Sequence, residues 1–125
     1  MIENIEQFRQ LVEDTIGGKC YLEYPQDRIT KDRPFAVISM VGNTPLQNDY
    51  DHSEVMAVIA YNIHLYAKKQ TELMDYVSKV SDAFAKFNFT RVALTSQWNH
   101  PTHGPYRILT VQGIIDRRGN TFTYM

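Results

Sequence analysis

A chain of 125 residues with 43% apolar and 22% charged side chains has enough apolar surface for one hydrophobic core, which excludes a disordered chain and makes one domain, residues 1–125, the simplest organisation. Its formal net charge of −1 offers nucleic acid no global attraction, and its single cysteine, Cys20, excludes an internal disulfide and fits a reducing compartment. No apolar run approaches the roughly 20 residues of a membrane span, and MIENIEQFRQ lacks the basic and apolar parts of a secretory leader, so synthesis in the cytoplasm is expected.

Ile2, Ile5, Phe8, Leu11, Val12 and Ile16 recur at three- and four-residue steps and predict a first helix, which Gly17-Gly18 ends. KCYLEY (19–24) reads as a short strand in which Cys20 packs rather than reacts. The charged connector PQDRITKDR leads to a second strand, FAVISMV (35–41). GNTPLQNDYDHSE (42–54) is polar and aperiodic and is expected to be a long mobile loop, of the kind that is functional or unordered until bound.

EVMAVIAYNIHLYAK (54–68) predicts the longest strand. Val55, Ala57, Ile59, Tyr61, Ile63 and Leu65 share one face; Met56, Val58, Ala60, Asn62, His64 and Tyr66 share the other. A second helix follows, N-capped by Thr71 with Glu72 in its first turn and a core stripe of Leu73, Tyr76, Val77, Val80, Phe84 and Phe87. Three strands close the chain: TRVALTSQW (90–98), PYRILTVQGIID (105–116) and TFTYM (121–125). The turn between the first two is WNHPTHGPYR (98–107), and RRGN links the last two at hairpin length. Short links between strands imply an α+β fold: a mostly antiparallel sheet with two amphipathic helices packed on it.

The chemistry-bearing residues do not assemble into an enzyme signature. His100 and His103 in the 98–107 turn lack a third ligand at recognisable spacing, and Pro101 keeps them off a helix, whereas a zinc enzyme needs three protein ligands and an open position. His52 lies in the long loop and His64 on a sheet face. The acidic run NDYDHSE (48–54) lacks the spacing of a calcium loop, no serine sits in a G-x-S-x-G elbow, and no phosphate-binding glycine motif is present. No enzyme activity, metal or cofactor is expected.

Two features point to assembly. Residues 1–85 hold 8 basic and 13 acidic side chains, residues 86–125 hold 5 basic and 1 acidic, so halves of −5 and +4 could meet head to tail in a ring. The terminal strand, ending NTFTYM, carries no charge or proline to blunt it, and as an edge it would be a template for pairing with another chain.

The element order, with RPFAVISMVGNTPLQNDYDHSEVMAVIAYNIHLYAKKQTELMDYVSKVSDAFAKFNFTRV followed by HPTHGPYRILTVQGIID, resembles the tail terminator or head-to-tail joining (tail completion) proteins of long-tailed bacteriophages. The resemblance covers most of residues 35–116. It implies a structural virion protein made in the host cytoplasm, self-associating into a ring, typically of six subunits, at the head-proximal end of the tail. Such a ring stops the tail tube and joins it to the head connector, with DNA only passing through its lumen and no membrane involved. The family brings no catalytic residues. The alternatives are a head-completion or stopper protein of the neck, or a small metal-dependent enzyme or ligand-binding domain. On the assembly reading the contacts fall in the long loop (Asp49, Tyr50, Asp51, His52), in the 98–107 turn (Trp98, His100, His103, Tyr106, Arg107) and near the C-terminus (Arg117, Arg118, Phe122, Tyr124).

Overall fold

The computed structural model describes residues 5–22, 34–48, 54–95, 98–100, 104–116 and 121–122. The elements run α1 (Ile5–Ile16), β1 (Lys19–Tyr21), β2 (Phe35–Asn48), β3 (Glu54–Tyr66), α2 (Gln70–Ala85), β4 (Thr90–Leu94), β5 (Trp98–His100), β6 (Gly104–Asp116) and β7 (Thr121–Phe122). Among the described residues the strands form one sheet in the order β1-β2-β3-β6-β4, with β5 and β7 also paired to β6. Only the β1–β2 pair is parallel. This is the α+β class.

Both helices lie on one face of the sheet. Phe8, Val12 and Ile16 of α1 and Leu73, Val77, Val80 and Phe84 of α2 join Ala36, Ile38, Ala57, Ile59, Tyr61, Ile63, Leu65, Leu109, Val111 and Ile115 in one buried core. The alternation along β3 therefore does what its sequence requires, sending Ala57 to Leu65 inward. Phe8 is the hub. Its ring lies 4.9 to 5.6 Å from the rings of Phe89, Phe84, Tyr61 and Phe87, tying α1 to α2, to β3 and to the turn after α2. Tyr76 and Phe87, expected in the core stripe, are packed at its margin.

Helix ends follow backbone chemistry. Gly17 takes a positive φ of 70° and its N–H donates to the Glu13 carbonyl, closing α1 as the glycine pair predicted. After α2, Asn88 takes φ 64°, its N–H reaches the Ala85 carbonyl and the Phe89 N–H reaches that of Phe84. Those two bonds form a Schellman closure, and its usual apolar contact is present as the Phe84–Phe89 ring pair at 5.5 Å. The N-terminus of α2 corrects an expectation: the cap is Lys69, in extended conformation and with no side-chain hydrogen bond, so Thr71 lies inside the first turn.

The segment expected as a mobile loop at 42–54 is also corrected. β2 continues to Asn48 and β3 starts at Glu54, with Gly42 opposite Ala60, Thr44 opposite Val58 and Asn48 opposite Glu54. Register shifts between Met40 and Gly42, between Pro45 and Gln47, and between Gln47 and Asn48 explain why the sequence shows no period there: the first two put an extra residue on β2 and the third puts one on β3, and each moves the pairing by one. Residues 49–53 lie outside the described residues. The strand expected at 90–98 divides into β4 and β5, each paired to a different part of β6.

Candidate assembly interface

Within the stretch 98–107, expected as a turn, residues 98–100 and 104–106 are paired antiparallel strand, and 101–103 lie outside the described residues. Trp98 faces Tyr106, Asn99 faces Pro105 and His100 faces Gly104. The hairpin runs past the end of β3, whose last residue, Tyr66, pairs with Tyr106; beyond it the Ala67 N–H donates to the Pro105 carbonyl at 3.2 Å. Gly104 supplies the positive φ, 84°, at the start of the returning strand.

Register carries an aromatic ladder across the face opposite the helices. Phe35, Tyr66, Tyr106 and Trp98 are successive cross-strand partners on β2, β3, β6 and β5. Phe35 and Tyr66 stack at 4.5 Å, Tyr66 and Tyr106 at 5.0 Å, and Trp98 meets Tyr106 edge-on at 5.8 Å. Tyr21 of β1 extends the row, its ring 6.2 Å from Phe35. Directly opposed aromatics stabilise neighbouring strands beyond the area they bury. Phe35 and Tyr66 are buried, whereas Trp98 at the outer end is 51% exposed. Further along this face the Thr110 hydroxyl donates to Asn62 Oδ1 at 2.6 Å.

Arg107 does not share that face. It lies opposite Leu65, on the side of the helices, half-buried, with Nη1 donating to the Thr95 carbonyl at 3.4 Å. Alternation along β6 thus separates it from Tyr106, its neighbour in sequence. His100 and Phe122 are placed by backbone pairing alone, opposite Gly104 and Ile114. Asp49, Tyr50, Asp51, His52, His103, Arg117, Arg118 and Tyr124 lie outside the described residues. Of the candidate contact residues, the structure brings Trp98 and Tyr106 together.

Among the described residues most of the large exposed hydrophobic side chains lie at the sheet's edges. Among the described residues the large hydrophobic side chains left exposed are Leu22, Val41, Met74, Val92 and Trp98. Leu22 follows β1 and Val41 sits on β2; Val92 sits on β4 and Trp98 on β5, at the opposite edge. Val41 and Val92 are each the unmatched residue of a bulge, between Met40 and Gly42 and between Arg91 and Ala93. A bulge turns its extra residue out of the ladder and bends the edge, so both valines are displayed where a straight strand would pair poorly.

Titratable groups lend themselves to packing more than to chemistry. Burial, with the Glu13 carboxylate nearby, pushes the Cys20 thiol up to about 12, so it stays protonated and unreactive at neutral pH. Burial holds the His64 imidazole below its ordinary value. Among the described residues no three His, Cys, Asp or Glu side chains converge as a metal site would require, and no helix is long and apolar enough to cross a membrane. The aromatic ladder escaped the sequence because it depends on register, although Phe35, Tyr66 and Tyr106, each at the end of an expected strand, were its visible trace. No protein-family model matches the sequence, and no curated protein is significantly similar to it.

Proposed function

We propose that this chain is a structural virion protein that forms a ring at the head-proximal end of a phage tail, ends the tail tube there and joins it to the head connector. The observation that supports a ring is the placement of exposed apolar side chains on two opposite sheet edges, Leu22 and Val41 on one and Val92 and Trp98 on the other. A subunit that meets its neighbour through two different surfaces associates head to tail, and such contacts close into a ring when the rotation allows. The half-exposed hairpin of Trp98 and Tyr106 is the natural docking element, because an aromatic anchor in a rigid strand pair loses little conformational freedom on binding.

Native mass across a wide concentration range tests the ring. A discrete closed oligomer, with six subunits expected, supports it; a monomer on its own and in the presence of tail tubes removes it. Val92→Asp and Trp98→Asp should each shift the protein to monomers with an unchanged circular dichroism spectrum. Pull-down with tail-tube protein and with portal separates the terminator role from a stopper role, since a terminator must retain the tube protein.

A further inference from the structure

The outer edge of β1 is closed by side chains. Among the described residues no strand lies beyond it. In a parallel pair, alternate residues turn their N–H and C=O toward the partner strand, and Cys20, the middle residue of β1, turns both away from β2. Both are met from α1. The Cys20 N–H donates to Glu13 Oε2 at 3.0 Å, and the Cys20 carbonyl accepts from Arg9 Nη1 at 3.3 Å. Arg9 and Glu13 are one helical turn apart and joined at 2.9 Å, and Arg9 Nε also donates to Glu6 at 2.8 Å, which fixes the guanidinium. An acceptor and a donor are thus held together against the two backbone groups of one residue, the pair that a neighbouring strand would present.

We propose that Arg9 and Glu13 act as an internal cap that stands in for a neighbouring strand on β1 and keeps a strand of a second copy from adding there. Three observations carry it. The cap satisfies both outward groups of Cys20, so an incoming strand gains no hydrogen bond there without displacing it. The Arg9 and Glu13 side chains are each only 20% exposed and engaged with each other, so displacement leaves a guanidinium and a carboxylate without their partners at that edge. β2 and β4 are bent by bulges at Val41 and Val92, whereas the pairing of β1 has none, and Leu22, directly after β1, is exposed and apolar. Once uncapped, β1 offers an unbulged edge to an incoming strand, and every copy of the chain supplies one. The proposal does not depend on the ring, because the cap limits growth from whatever size the native protein has.

Hydrogen exchange and sizing test it together. In the wild-type protein the Cys20 amide is expected to exchange at least about tenfold more slowly than an unbonded amide. A Cys20 amide that exchanges freely in the wild type overturns the proposal whatever the variants do. The Arg9→Ala, Glu13→Ala double variant is expected to lose that protection when dilute and, as concentration rises, to grow by light scattering beyond the wild-type size while regaining protection at Cys20. Glu13→Gln, which keeps an acceptor oxygen, should hold the wild-type size. A folded double variant that keeps the wild-type size at every concentration overturns the proposal. So does growth in which the Cys20 amide stays unprotected, since that is aggregation through another surface.

Discussion

Single positions show how little slack the core has. Gly113 lies under the Phe89 ring, and a Cβ built there would come within 2.8 Å of it. Gly113→Ala should therefore displace Phe89 from its contacts with Phe8, Tyr61 and Phe84, lowering stability by about 1 to 3 kcal/mol, measured by denaturant unfolding. Phe8→Ala removes the hub of the same cluster and should cost about 3 to 5 kcal/mol in that assay. His64 predicts a pH dependence. Because burial holds its folded value below the ordinary 6.5, the unfolded chain binds more protons at acidic pH, and stability falls as pH drops below 6.5. Glu6 and Glu13, held below the usual carboxylate value by hydrogen bonds to Arg9 and to the Cys20 amide respectively, add their own losses only as pH falls below 4.5. Thermal midpoints between pH 7 and pH 5 should accordingly decline in the wild-type protein and flatten in His64→Gln; an equal decline in both would assign the slope to other groups.

At the scale of elements, the sequence showed both helices and the inner face of β3, because each rests on an unbroken period. Ile5 to Ile16 and Leu73 to Phe84 recur at helical spacing, and Ala57 to Leu65 alternate without interruption. It hid the far half of β2, where three register shifts within nine residues erase alternation, and it merged β4 with β5, which only their separate pairing to β6 tells apart. The candidate site was legible in part. Trp98 and Tyr106 stood out by type, but their contact with each other and the turning away of Arg107 required the register. The hairpin also carries its own reporter, since Trp98 is the single tryptophan and is half-exposed. If the hairpin docks against a neighbouring subunit, Trp98 emission should shift to shorter wavelength as the protein associates and should become less accessible to iodide quenching. Emission unchanged between monomer and oligomer would place the contact elsewhere.

For the whole molecule, β6 has an uneven share of the architecture. It pairs with β3 along one side and with β5, β4 and β7 in turn along the other. Four strands thus take their position from residues 104–116, and three of them, β3, β4 and β5, lie earlier in the chain. On the ribosome this order matters. Both helices and the first five strands emerge before the strand that organises them, leaving the inner edge of β3 unpaired for the whole of that interval. Completion of the sheet then depends on contacts distant in sequence, which form slowly. A chain truncated after residue 103 should be digested rapidly by protease and bind chaperone, while the full chain resists both. The timing of synthesis therefore becomes a safeguard: no subunit can present a finished surface to a neighbour until β6 has been made.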